Sequence, residues 1–282
     1  MPQVTIAPAA AFKKERVKGR GLPATYAKGF AMKLMIIDTA LQRCAVVLAE
    51  DRGLIAHETA TVEKGHAECL APMVQRALAV ADWRVSDLAR IGVITGPGGF
   101  TGIRVGVSFA RGLALGMPCG LIGITSLEAL AISALRHGTD GSAEKSRSPL
   151  FIAPVVDARR GEVYTALYTV EGQALRTVTS PLALTPEVAA DWLDEGVPAQ
   201  ARCRLPGSGR ALIAASAPAP RVGEWLMNSP SVDQIELPAL IDVICTRRLE
   251  DQSPAPFYLR PPDAKPSARS AFDALMRAQT RS

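Results

Sequence analysis

Residues 96–106 read G-P-G-G-F-T-G-I-R-V-G, and no other stretch limits the fold so sharply. An apolar run, Ile91–Thr95, leads into this loop, and a helical pattern from about Thr101 to Gly116 leaves it. The segment therefore predicts a strand, a tight glycine turn and a closely packed helix, with Thr101 placed to cap the helix. A Walker A loop is excluded, because Gly-Lys-Ser/Thr is missing and no lysine occurs between Lys64 and Lys145. The dinucleotide fingerprint fits poorly as well. Thr101 stands at the third glycine, and no acid follows about 20 residues later. Two readings of the loop stay open: helix-start amides that hold an anion, or glycines that only permit a sharp turn.

The flanking pattern gives the fold class. Lys33–Asp38, Arg43–Glu50 and Leu54–Thr61 read as strands, with a hairpin turn at Asp51-Arg52-Gly53. His66–Ala81 switches to helical spacing, with Leu70, Met73, Val74, Ala77, Leu78 and Ala81 on one stripe. Strand Cys119–Gly123 and helix Ser126–Leu135 follow the glycine-loop helix. This order predicts an α/β fold, with a mixed sheet flanked by helices in a ribonuclease-H-like lobe over 32–136. Residues 137–149 read as a polar linker. A second, less regular lobe over 150–260 opens on the buried strand Leu150–Asp157 and continues as a meander through Glu162–Val170 and Ala174–Ser180. Residues 261–282 form a tail rich in Pro, Ser and Ala.

Charge is concentrated at one end. Residues 1–31 carry six basic residues and one acid, which accounts for the whole net charge of +5. That leader lacks the apolar core of a secretory signal. It is expected to be a disordered extension, or an over-long start ahead of Met32. The remaining charges balance, which leaves room for no more than a local nucleic-acid patch. Five scattered cysteines without a C-x-x-C pair fit a reducing cytoplasm rather than a disulfide framework. No run of 18 apolar residues predicts a membrane span.

Candidate chemistry is sparse. Asp38 and Thr39 end the first strand, where a carboxylate could hold a nucleotide-bound Mg²⁺, and Gly98 and Gly99 could contact the phosphate. The competing reading is that Asp38 simply ends the strand and caps the turn. His66 lacks a partner at helical spacing, because position 70 is Leu, so no metal set is predicted. His57 and His137 have no companions, and no Ser/His/Asp set is legible. Cys69 reads as packing. The charged stretch 157–162, D-A-R-R-G-E, is explained as well by a salt-linked turn as by catalysis.

The helix after the loop is unusual. Gly102, Gly106, Ala110 and Ala114 recur every four residues, a ridge on which another backbone can lie close. Ile103, Val107 and Leu113 lie beside it, and Arg104, Ser108 and Arg111 form its polar stripe. Such a helix is either buried twice or paired with a partner; the second reading is preferred.

Met35-Ile36-Ile37-Asp38-Thr39-Ala40, the glycine loop, D-A-R-R-G-E-V-Y at 157–164 and Tyr258-Leu259-Arg260 together resemble the TsaB (YeaZ) family, over about residues 33–260. The resemblance implies a two-lobed actin-like ATPase fold of the sugar-kinase type. It implies a non-catalytic role in making threonylcarbamoyladenosine, 3′ of certain tRNA anticodons, as a subunit that binds TsaD. TsaE is then a third component, and tRNA is met through the complex. Gly99 departs from the serine common in the family. The resemblance also implies a partner interface on helices 66–82 and 101–116, here His66, Leu70, Met73, Val74, Leu78, Gly102, Ile103, Gly106, Val107 and Ala110, with a homodimer when the partner is absent. Val74→Arg or Gly106→Arg is accordingly expected to leave the monomer folded and abolish binding. ATP or ADP with Mg²⁺ at the subunit junction stays open. The rival reading is a kinase or ATPase of the same fold acting alone through Asp38 and the 96–102 loop.

Overall fold

The computed structural model describes residues 4–6, 31–62, 65–137, 148–172, 174–249 and 254–260. Most of the expected leader, most of the expected linker and the expected tail lie outside them. Three leader residues are exceptions to its expected disorder. Strand β1 (Val4–Ile6) pairs antiparallel with Glu58–Ala60, where an edge strand offers unpaired backbone groups.

The first lobe follows the predicted order. β2 (Lys33–Asp38), β3 (Arg43–Glu50) and β4 (Gly53–Thr61) form an antiparallel meander. After helix α1 (His66–Ala81), β5 (Arg90–Ile94) joins parallel to β2. After α2 (Phe100–Leu115), β6 (Gly120–Ile124) joins parallel to β5. Helix α3 (Ser126–Arg136) then closes the lobe, with the Thr125 side chain accepting from the Glu128 amide at its start. The sheet order is β1-β4-β3-β2-β5-β6, the mixed order of a ribonuclease-H-like lobe. β2 is buried on both faces, so its run KLMIID is apolar almost throughout rather than alternating.

The second lobe departs from the expectation of one strand over Leu150–Asp157. The segment splits into β7 (Leu150–Ile152) and β8 (Val155–Arg159), which lie in different sheets. Pro154 sits at the break because it has no amide to give to a ladder. The expected strand 162–170 divides likewise, into β9 (Glu162–Thr165) and β10 (Tyr168–Glu171). With β11 (Ala174–Thr177), β12 (Leu182–Leu184) and β13 (Arg202–Arg204) they form a four-stranded sheet, β11-β10-β7-β13, and a three-stranded sheet, β12-β9-β8. Helices α4 (Pro186–Gly196), α5 (Arg210–Ala215) and α6 (Pro220–Asn228) cover them around Leu193, Ile213 and Trp225.

The chain then returns to the first lobe. A 3₁₀ turn at Leu237–Leu240 and helix α7 (Ile241–Thr246) pack on β2 and β5. Ile244 lies over Gly92, where a Cβ would stand 2.5 Å from its Cδ1. Arg90, 8% exposed, donates to the carbonyls of Ile244 and Arg247 and so ties down the end of α7. Residues expected in the second lobe thus cover one face of the first lobe's sheet, while α2 lies on the other, with Gly106 beside Ile37.

Candidate functional site

Three of the four glycines in the 96–102 loop allow a contact that a side chain would block; at Gly99 a Cβ would stand an ordinary 3.6 Å from the Ala40 carbonyl. Gly96 has φ +106°, and a Cβ there would stand 2.6 Å from the Phe257 carbonyl. At Gly98 a Cβ would stand 2.2 Å from the Ala40 carbonyl, and at Gly102 one would stand 2.0 Å from that of Thr39. The Gly99 amide donates to the Ala40 carbonyl (2.7 Å), and the Thr39 hydroxyl donates to the Gly102 carbonyl (2.7 Å). The loop is therefore clamped onto the turn after β2. Helix α2 starts at Phe100, with Gly99 rather than Thr101 at the cap and no side-chain cap bond.

That clamp corrects the expected nucleotide contacts. Asp38 and Thr39 are each 1% exposed; Asp38 Oδ1 and the Thr39 hydroxyl are committed locally, while Asp38 Oδ2 has no hydrogen-bond partner. Asp38 Oδ1 accepts from the Ala40 amide (2.9 Å), and the Thr39 hydroxyl is spent on Gly102. Burial pushes the Asp38 carboxyl above its ordinary range, against the pull of the Arg43 guanidinium 3.8 Å from Oδ2. Mg²⁺ keeps several waters when it binds a carboxylate, and Asp38, sealed from solvent and facing a guanidinium, leaves no room for such an ion as placed. Among the described residues no group of three His, Cys, Asp or Glu could hold a metal. Of the four expected contacts, Gly98 and Gly99 alone line an open site.

The expected interface residues are also placed differently. Leu70, Met73, Val74, Leu78, Ile103, Val107 and Ala110 are at most 7% exposed and belong to the first lobe's own core. Gly102 and Gly106 are buried against Thr39, and His66 is half-buried beside Gly102. The small-residue ridge does receive a close backbone, but it is the chain's own β2 turn. Gly106→Arg would drive a side chain into Thr39 Oγ1, 2.3 Å from the Cβ position, and Val74→Arg would bury a charge. Both are folding variants rather than interface variants.

What α1 and α2 leave outside is a different set of residues. Ala67, Ala71, Gln75 and Ala79 are exposed along α1. Thr101, Ser108, Gly112 and Leu115 are exposed along α2, with Val105 half-buried among them. Glu68 is exposed beside the α1 stripe, and Arg104 and Arg111 are exposed beside the α2 stripe. Leu115 is 89% exposed, and a Cβ on Gly112 would meet open space.

A cleft of about 200 Å³ brings together three motifs that lie far apart in sequence. Pro97–Phe100 of the glycine loop form one wall, and Ala158–Arg160 with Tyr164 form the other. Phe257–Arg260 run between them. This last segment straps the lobes together: the Phe257 amide donates to the Thr95 carbonyl (2.8 Å). Tyr258 stacks on Phe100 at 4.9 Å between ring centroids, and its hydroxyl receives Arg104 Nε (2.9 Å). Arg104 also lies 3.8 Å over the Phe100 ring. On the second lobe, Arg260 pairs with Glu162 (3.0 Å), donates to the Tyr164 hydroxyl (3.3 Å) and reaches the Ala158 carbonyl.

The turn at 157–162 is salt-linked, as one of its two readings expects: Arg159 lies 3.5 Å from Asp157. The sequence reading missed its backbone. Arg159, Arg160 and Gly161 all take left-handed conformations, with φ 62°, 58° and 75°. A hairpin with two turn residues at positive φ normally selects Asn-Gly or Gly-Gly. The signal that could have found it was the arginine standing at a turn position of that type.

The remaining candidates are accounted for. His137 contacts Glu236, a companion that spacing did not suggest. Burial and the Arg43 charge lower the His57 pKa. The five cysteines are free, and burial pushes Cys44 and Cys203 up to about 12 and Cys245 to about 11, so these thiols stay protonated near neutrality. No helix among the described residues is long and apolar enough to cross a membrane.

Comparison with known proteins gives a consistent answer. The family model described as TsaD, tRNA N6-adenosine threonylcarbamoyltransferase, matches residues 54–231, more than half of the chain. The tRNA threonylcarbamoyladenosine biosynthesis protein TsaB of Bacillus subtilis is 34% identical over 58% of this chain and 65% of its own length. The Escherichia coli protein of the same name is 35% identical over 49% of this chain and 55% of its own length. The matched stretch thus spans between about half and two thirds of these curated relatives. An uncharacterized protein of Mycobacterium tuberculosis is 32% identical over 83% of this chain. A Pseudomonas aeruginosa crystal structure, titled as an uncharacterized protein with similarity to peptidase YEAZ, superposes with a TM-score of 0.61 at 26% identity, covering 75% of this chain and 89% of its own. YeaZ from Pseudomonas aeruginosa, at 24% identity and a TM-score of 0.60, shares the fold. With its glycine loop, its D-A-R-R-G-E-V-Y hairpin and its Tyr-Leu-Arg strap meeting at one cleft, the chain belongs to the TsaB (YeaZ) family.

Proposed function

We propose that this chain takes part in making threonylcarbamoyladenosine on tRNA, as a subunit that docks against a TsaD-type partner and leaves the transfer chemistry to it. The names of the Bacillus subtilis and Escherichia coli relatives support the process. The observation that carries the docking role is the pair of small-residue outer stripes on α1 and α2, edged by the exposed charges of Glu68, Arg104 and Arg111. Ala67, Ala71 and Ala79 on one helix and Ser108 and Gly112 on the other let a partner helix approach closely, while Val105 and Leu115 add apolar area. Full burial of a leucine side chain contributes ~1.5–3 kcal/mol. Two helices of each protein would then form a four-helix bundle, and the same face would serve a homodimer when the partner is absent. TsaE would join through the assembled pair.

The variants that test this are Ala71→Arg and Gly112→Arg, because both positions are exposed and neither disturbs the core. Each is expected to melt like the unsubstituted chain and to lose co-purification with TsaD. Normal capture of both variants would overturn the docking face. A modification assay on unmodified tRNA, with and without this chain, tests the process itself; equal product in both would overturn it.

A further inference from the structure

We propose that the cleft between the lobes is a contact site for the RNA backbone, with Arg159 and Arg160 gripping a phosphate and the Phe100–Tyr258 ring pair forming the opposite wall. That the RNA is tRNA rests on the reading above; the site itself rests on geometry. Arg159, Arg160 and Arg260 line the cleft; behind the lining, Asp157 lies 3.5 Å from Arg159 and Glu162 lies 3.0 Å from Arg260. With Arg104 over the Phe100 ring, four arginines stand here against those two carboxylates, whereas the charges of residues 32–282 cancel overall.

The backbone adds a second observation. Arg159 and Arg160 hold left-handed conformations that asparagine or glycine would adopt at lower cost. Strain of this kind clusters at functional sites, although Asp51, Asp82 and Ala217 hold the same conformation elsewhere in the chain. Size decides between ligands: small-molecule sites usually enclose about 300–1,000 Å³, and this open cleft holds about 200 Å³. A space of that size suits a phosphate with part of a ribose. A polymer that passes through supplies such a fragment at every residue, and aromatic rings beside arginines suit unstacked RNA.

The test uses the full chain, a fluorescent unmodified tRNA transcript, and the double variant Arg159→Asn, Arg160→Asn. Asparagine tolerates the left-handed backbone, so the variant is expected to melt at or above the temperature of the parent chain. Anisotropy at 50 to 200 mM salt should show at least about tenfold weaker binding, with the slope of log K against log salt reduced by about 1 to 2. Equal affinity and slope in the two proteins, or no binding by the parent chain, would overturn the site. Displacement of the transcript by polyglutamate as effectively as by unlabelled tRNA would overturn its assignment to RNA. Capture by TsaD is measured on the same samples. A variant that loses RNA but keeps the partner supports the site, and a parent chain that binds RNA but not TsaD sinks the docking reading alone.

Discussion

The glycine loop and the hairpin turn at 157–162 face each other across one cleft and have opposite characters. The loop looks like a ligand cradle, yet Gly98 and Gly102 are consumed by close contacts with the chain's own Ala40 and Thr39 carbonyls, and Gly96 by the Phe257 carbonyl. The turn looks like a routine reversal, yet it holds two arginines where the backbone favours glycine or asparagine. Glycine at a crowded position marks close approach, whereas a bulky residue at a position that suits glycine marks a side chain retained against local preference. The second is the better pointer to a surface that meets something else.

The sharpest way to break this comparison is Gly102→Ala. A methyl 2.0 Å from the Thr39 carbonyl has no room, so the variant should lose more than about 3 kcal/mol in urea unfolding, at the upper end of overpacking costs. A loss under 1 kcal/mol would mean that the loop is not clamped. Arg160→Gly should move the other way, gaining about 1 kcal/mol by relieving a left-handed residue. A destabilised Arg160→Gly chain would remove the contrast between the two regions.

The smallest effect is a tilt with pH. The His57 pKa is lowered, chiefly by burial, so the neutral ring contributes stability that is present above the ordinary histidine value of 6.5 and lost as pH falls through the folded value. His57→Gln should therefore flatten the fall in melting temperature below pH 6.5. An unchanged profile would show that another group drives that fall.

Much of the first lobe was legible in the sequence, because its strands and helices carry strong periodic patterns and end on clear signals. The second lobe was less so. Pro154 breaks a run whose composition alone reads as one buried strand, and β7 and β8 go to separate sheets. Helical spacing identified the stripe of Leu70, Met73, Val74 and Leu78 but could not say what it faces. A stripe against the chain's own sheet and one against a partner have the same period, and here it is the sheet. The ridge of Gly102, Gly106 and Ala110 likewise signalled a nearby backbone without saying whose. Of the outer stripes, the pattern showed only the polar line of Arg104, Ser108 and Arg111, because alanine and glycine register neither as apolar runs nor as charge. Sequence order gave no hint that Phe257–Arg260 would bridge the lobes.

Helix α7 leaves a consequence for biosynthesis. The sheet laid down by residues 33–124 has one side closed by residues that leave the ribosome more than a hundred positions later. Until Ile241–Thr246 emerge, Ile36 and the bare backbone at Gly92 lack their cover, and an apolar surface of this kind is prone to aggregate in a nascent chain. A frameshift or stop codon between positions 234 and 241 would therefore leave the front half greasy and incomplete, rather than removing a dispensable end.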